Sequence, residues 1–343
     1  MADIRTVLVT GAGGYIGTTL VPMLLDAGFA VRAYDRFFFG RDLLTAHPAL
    51  EIVQGDIRRL PPGLFSGIDA VIDLAALSND PSGELFQKAT WEINFVARAN
   101  VAAEAKKAGV KRYVLPSSCS IYGWQAPDVI AHEDTPTNPL TTYAKANELA
   151  EKSVLPLADE SFCAVVLRQA TVYGYSPRIR LDLAINGMTY GAFQTGKLPL
   201  MRDGSQWRPM VHVKDTCAAQ MFMLTAPADK VAGQVFNVGS ERNNYQIGPL
   251  GEIVAAAVPR DVEIQWYGDP DHRSYRVGFE KIEALGFKAQ RVAEDGVAEL
   301  VAALQDGRLV DTEKAITLDW YKNLVRWSKV IDEVRLGDSL IDL

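Results

Sequence analysis

Cysteine is scarce in this 343-residue chain: Cys119, Cys163 and Cys217 are the whole supply. An odd count without metal-type pairing argues against a disulfide framework and fits reduced thiols in a cytoplasm. Long apolar runs are missing too. None reaches the ~18 residues that a membrane span needs, so no membrane association is expected. The opening MADIRTVLVTG enters an apolar strand with no basic region or cleavage-site pattern, so no signal peptide is expected and the protein reads as cytoplasmic. Positive charge is in deficit: 35 Lys and Arg against 42 Asp and Glu give a net charge of −7. That balance argues against a general nucleic-acid binder. It leaves room for an anionic small ligand, because a few local arginines suffice. Internal repeats and low-complexity linkers are absent as well.

What is present is apolar mass. Hydrophobic residues make up 48% of the chain, ample for a large core, and the length suggests roughly two domains or one elaborated domain. The run 4–11 is short, apolar and rich in β-branched residues, and it ends in glycines, which predicts a buried strand. Residues 15–28 have helical spacing and stop at Gly28, with Pro22 arguing against a straight helix. Further strands are predicted at 30–35, 51–56, 70–76, 112–118 and 163–169, with helices between them, most clearly at 84–108 and 143–155. This alternation implies an α/β fold with a parallel sheet covered on both faces. After Thr171 the rhythm loosens. A strand running into a helix capped by Asp215 is expected over 208–226, and another strand over 234–240. A domain boundary is placed near 171, giving a cofactor domain over 1–170 and a substrate lobe over 171–343, with room for the chain to cross back.

The turn VTGAGGYIG spaces Gly11, Gly14 and Gly17 three residues apart between a strand and a helix. The first glycine permits a tight turn, the second lets a pyrophosphate approach the backbone, and the third lets helix pack on strand. The helix N-terminus then offers free N–H groups to phosphate. Asp35 ends the second strand 18 residues past Gly17, close to the ~20 expected for an acid that binds ribose hydroxyls. A carboxylate there repels a 2′-phosphate, which favours NAD; Arg36 pulls the other way.

From these motifs the chain resembles the extended short-chain dehydrogenases/reductases, specifically their NAD-dependent epimerase/dehydratase group acting on nucleotide sugars. The resemblance runs to about residue 300. It rests on TGAGGYIG, GDIR (55–58), DLAA (73–76), SSCSIYG (117–123), WRPMVHVKD (207–215) and DHRSYRV (271–277). It implies a Rossmann-type doubly wound parallel sheet with a smaller C-terminal α/β substrate lobe. It places Ser118, Tyr143 and Asn147 at the chemistry. Around NAD it places Gly11, Gly14, Tyr15, Ile16, Gly17, Asp35, Arg36, Asp56, Ile57, Leu74, Ala75, Ala76, Asn94 and Ser117, with Tyr143 and Asn147. Around a nucleotide-diphosphate sugar it places Ser78, Asn79, Tyr122, Thr171, Asn186, Arg208 and Arg273. Trp124 is either a sugar-stacking residue or loop packing.

One letter departs from the pattern. The family carries Tyr-x-x-x-Lys on a helix, and here Tyr143 is followed at i+4 by Asn147. Tyrosine exchanges a proton with the substrate oxygen, and an unperturbed tyrosine with pKa about 10 is a poor base at neutral pH. A neighbouring positive charge helps it. Asn147 can bond ribose hydroxyls but cannot supply charge. Lys145, at i+2, points to the far side of the helix. Glu151 keeps the register. His132, Glu133 and His212 are further candidates for a base.

The dehydratases of this family carry an Asp-Glu pair where this chain has Cys119 and Ser120, so dehydration is disfavoured. Three readings follow: an NAD-dependent nucleotide-sugar epimerase with transient hydride transfer at C4, a dehydrogenase or ketoreductase with net redox change, or a catalytically weak NAD-binding sensor. The resemblance also implies a homodimer through the helices at 84–108 and 143–155. The helical C-terminal stretch, about 312–335, is expected to pack on the smaller lobe or on a partner subunit.

Overall fold

The computed structural model describes residues 4–126, 128–269, 274–310 and 312–335. Seven parallel strands form the main sheet: β1 (Thr6–Thr10), β2 (Ala30–Asp35), β3 (Leu50–Gln54), β4 (Ala70–Asp73), β5 (Arg112–Ser118), β6 (Cys163–Gln169) and β7 (Gln234–Val238), in the order β7-β6-β5-β4-β1-β2-β3. The inner strands read as unbroken apolar runs because helices cover both faces. β4 is buried at every position, and so is β6 up to its last residue. The chain reverses direction across the sheet between β1 and β4. That leaves a crevice at the carboxyl ends of the strands, where ligands of such sheets bind.

The second lobe is built on smaller sheets, Thr171–Tyr173 beside Trp207–His212 and Lys197–Met201 beside Glu263–Tyr267. Helices Ala184–Thr195, Ile247–Ala257 and Ala293–Gln305 close a separate core there around Leu198, Leu250 and Val297. The division at 171 is not a clean cut. After the second-lobe strand Trp207–His212 the chain returns, and helix Val213–Thr225 and strand β7 complete the first lobe.

Three local expectations are corrected. The helix at 84–108 is four pieces: Asp80–Leu85, Gln87–Thr90, a π-helical stretch Trp91–Ala97, and Arg98–Lys107. Phe86 breaks the first junction with ψ of 50°. The helix expected to be capped by Asp215 starts at Val213, and His212 accepts the capping bond from the Lys214 amide. Asp215 is instead buried against Arg291 and accepts from the amides of Gln290 and Arg291. The C-terminal helix Thr317–Val334 lies on the first lobe as well as the second. Its Tyr321 ring contacts Phe38, Phe39 and Phe86, while Thr317 bonds Arg178 and Asp182. Among the described residues no helix is long and apolar enough to cross a membrane.

Candidate active site

A cavity of about 690 Å³ occupies the crevice, running from the glycine turn past Tyr143 to Arg208. That volume suits a ligand of several rings.

Its floor is the β1–helix turn. Gly11 has φ of +66°, and a Cβ there would sit 2.7 Å from the Leu74–Ala75 peptide. A Cβ on Gly17 would sit 2.5 Å from the carbonyl oxygens of Gly11 and Ala12. Both positions therefore demand glycine, because a Cβ at either would run into neighbouring backbone. Gly17 opens the helix Gly17–Asp26, whose positive end faces the cavity. Asp35 at the end of β2 accepts from the amides of Gly13 (3.2 Å) and Phe37 (2.5 Å) and lines the wall. Arg36 also lines it but is held by Asp56 at 2.9 Å. Tyr15, Ile16, Ile57, Leu74, Ala75 and Ala76 complete this half. The glycine cradle, the helix terminus and the acid suit a dinucleotide: Gly11, Gly14 and Gly17 would hold its pyrophosphate, and Asp35 its adenosine ribose.

The middle of the cavity is formed by β5 and the helix Thr142–Val154. Thr141 caps that helix by accepting from the Ala144 amide at 3.2 Å, and its own hydroxyl donates to Asp80 at 2.6 Å. The cap fixes where the first turn begins, so Tyr143 opens onto the cavity that Ser118 also lines. Burial, then Asp80, pushes the Tyr143 phenol above its usual range, and Ser118, Arg98 and Arg180 act against this. Asn147 is buried on the same helix face and lines the cavity. Lys145 is exposed on the other face.

Ser78, Asn79, Thr171 and Arg208 line the substrate end. Asn79 caps the helix Asp80–Leu85 and donates to Asp182 at 2.8 Å. Ser117 also borders the cavity, but its hydroxyl donates to Glu151 at 2.5 Å. Arg273 lies outside the described residues.

Three assigned residues are not at the cavity. Tyr122 is fully buried, because the 3₁₀ turn Cys119–Tyr122 points it inward, where it donates to Asn237 at 2.7 Å and accepts from Arg168. Asn94 is buried beneath the site and clamps Leu77 through both its amide and its carbonyl (2.8 and 2.9 Å). Asn186 staples the 174–186 segment by accepting from the Gly174 amide and donating to the Arg180 carbonyl and the Tyr15 hydroxyl. Both asparagines shape the cavity wall from behind. Trp124 is half exposed away from the cavity. None of the other candidate bases lines the cavity: His132 faces Glu280, Glu133 accepts from the Asn237 amide, and His212 is paired with Glu299.

Several cavity residues escaped the sequence reading. Arg98 is fully buried and lines the cavity. Its one sequence signal is a charge at a core-facing position of the run INFVARANVA. Arg178, Arg180 and Asp182 come from the second-lobe segment after Gly174. Arg180 is held by both carboxylate oxygens of Asp182 and reaches Ser78. Phe38, Phe39 and Tyr321 roof the cavity.

Residues 7–239 match the NAD dependent epimerase/dehydratase family. The low-salt glycan biosynthesis protein Agl12 of Haloferax volcanii is 27% identical over 306 residues, 86% of this chain and 97% of that protein. A 3-beta-hydroxysteroid dehydrogenase of Mycolicibacterium neoaurum is 33% identical over 261 residues, 71% of this chain and 68% of that one. Among solved structures, MoeE5 in complex with UDP-glucuronic acid and NAD superposes with a TM-score of 0.77 at 27% identity, covering 88% of this chain and 99% of that one. The UDP-glucose 4-epimerase of Thermotoga maritima shares the fold with a TM-score of 0.78 at 22% identity over 88% of this chain and 99% of its own. With its glycine cradle, acid-ended second strand and Ser118–Tyr143 pair, the chain belongs to the NAD-dependent epimerase/dehydratase family and is an enzyme whose cofactor is NAD.

Proposed function

We propose that the protein is a nucleotide-sugar epimerase acting at the sugar C4, with Tyr143 as the proton relay. The observation that carries this reading is that Ser118, Tyr143 and Arg208 line one continuous cavity with the glycine cradle. NAD, held by Gly11, Gly14, Gly17 and Asp35, would supply the hydride acceptor for the C4 carbinol. As that hydride leaves, the Tyr143 phenolate takes the C4 hydroxyl proton; as it returns to the other face of the keto sugar, the Tyr143 phenol gives the proton back. Ser118, which lines the same cavity, holds that oxygen from the other side. Arg208 meets the diphosphate. Cys119 is buried with its thiol turned to the Arg168 carbonyl, and Ser120 lines the cavity without a carboxylate, which supports epimerisation over dehydration. MoeE5, bound to UDP-glucuronic acid and NAD, supports a nucleotide-sugar substrate. The protein acts as a cytoplasmic homodimer.

The second reading is net oxidation of a secondary alcohol, and the 33% identity to a 3-beta-hydroxysteroid dehydrogenase favours it. The test is a panel of nucleotide hexoses, nucleotide uronic acids and a 3β-hydroxysteroid incubated with NAD. Products are followed by NMR and NADH by absorbance. A new sugar epimer without NADH accumulation supports the epimerase. Stoichiometric NADH with a ketone overturns it in favour of the dehydrogenase.

A further inference from the structure

Tyr143 is set in surroundings that raise its proton affinity, so charge near it decides how readily it accepts a proton. The charged groups acting on it are Asp80 from helix Asp80–Leu85, which opposes ionisation, and Arg98 and Arg180, which favour it, as does the polar Ser118. The two arginines are not equivalent. Arg180 is clasped by both oxygens of Asp182, at 2.6 and 3.1 Å, so its charge is largely answered at contact. Arg98 meets its counter-ion loosely: Asp73 lies 3.4 Å from Nε, and that carboxylate also accepts from Tyr113 at 2.6 Å and from Thr10. Nη2 of Arg98 is anchored on the carbonyls of Asp73 and Pro116. Its Nη1 edge is turned the other way, to Asn147 Oδ1 at 3.0 Å.

That contact sets Asn147. A guanidinium only donates, so it selects the amide oxygen. The Asn147 Nδ2 group then faces its own helix, where one hydrogen reaches the Tyr143 carbonyl at 2.9 Å. The second hydrogen is left for a ligand in the cavity that both residues line. A lysine at 147 would bring an ammonium against a buried guanidinium, so the two cations exclude each other.

Resting on the Tyr143 relay, we propose that Arg98 and Asn147 act as one unit in which Arg98 supplies the positive charge beside Tyr143 and Asn147, oriented by Arg98, supplies the hydrogen bond to the nicotinamide ribose. Arg98 is thus a positioning and electrostatic residue that acts through the catalytic helix from the neighbouring one. The arrangement divides between two side chains what one lysine at 147 would do.

The experiment compares wild type, Arg98→Met, Asn147→Lys and Arg98→Met/Asn147→Lys. The readouts are the ionisation of Tyr143 without cofactor, taken as the ultraviolet difference against Tyr143→Phe, together with NAD affinity, thermal stability and turnover. Arg98→Met is expected to move the Tyr143 titration to higher pH and to cut turnover at neutral pH at least tenfold. Asn147→Lys alone is expected to lose thermal stability and at least tenfold in turnover, because the new ammonium faces Arg98. The double variant is expected to recover both relative to Asn147→Lys. A folded Arg98→Met protein with unchanged Tyr143 titration and turnover overturns the proposal. So does an Asn147→Lys protein as stable and active as wild type, and this outcome decides the matter if Arg98→Met does not fold. Activity surviving in Tyr143→Phe would instead remove the relay itself, a failure distinct from either of these.

Discussion

The indole Nε1 of Trp320 donates to the backbone carbonyl of Phe38 at 2.8 Å, tying the C-terminal helix to the loop after β2. Trp320 is buried and stacks edge-on with Trp327. Lys314 adds a bond to the Phe39 carbonyl, and Tyr321 packs on both phenylalanines. The roof of the cofactor cavity therefore depends on this helix. Trp320→Ala should cost about 3 kcal/mol of stability, measured by urea unfolding, and weaken NAD binding in calorimetry. Unchanged NAD affinity would mean that the roof makes no contact with the cofactor.

Gly17→Ala should abolish tight cofactor binding while leaving the sheet intact. The added methyl would fall on the Gly11 and Ala12 carbonyls, so the turn must open and the helix terminus must shift from the phosphate position. A loss of at least ~10-fold in NAD affinity is expected, equivalent to about 1.4 kcal/mol, with little change in circular dichroism.

The Tyr143 phenol lies above its ordinary range of about 10, burial being the leading cause. In the oxidising direction it must start deprotonated, so kcat for alcohol oxidation should climb with pH across the alkaline range. Carbonyl reduction needs the phenol and should fall over the same range. Tyr143→Phe should lose turnover in both directions and keep NAD affinity within a factor of about two. A flat pH profile in both directions would remove Tyr143 as the titrating group.

Asp182 illustrates the opposite sign. Burial pushes its carboxyl up, but Arg180 and Asn79 more than offset this and hold it at about 2. A carboxyl depressed in the folded state contributes stability that is complete above its ordinary value of 3.8 and is lost as pH falls from there through about 2. Asp182→Asn should thus cost on the order of 2 kcal/mol at neutral pH, and the gap to wild type should close over that acid window. Urea midpoints measured across it check the slope.

Much of the fold was legible along the chain because its signals are local. The apolar runs of β1, β2, β5 and β6, the glycines of the turn, and Asp35 at the end of β2 each report on neighbours a few residues away. Tyr143 and Asn147 were readable as one helix face for the same reason. Asn94, Asn186 and Tyr122 were misplaced. A polar side chain near a site can equally face a ligand or the back of the wall, and spacing does not tell the two apart.

The sequence by itself determined an α/β chain with a dinucleotide-type glycine turn, an acid ending the second strand, and an asparagine four residues after Tyr143. Only the tertiary structure decided that Arg98 meets Asn147. Arg98 and Asn147 are 49 residues apart, on helices that meet because each buries an apolar face on the same side of the sheet. Likewise the C-terminal helix reaches Phe38 across 282 residues. Such contacts are set by how packed elements close on one another, and no local pattern encodes that closure.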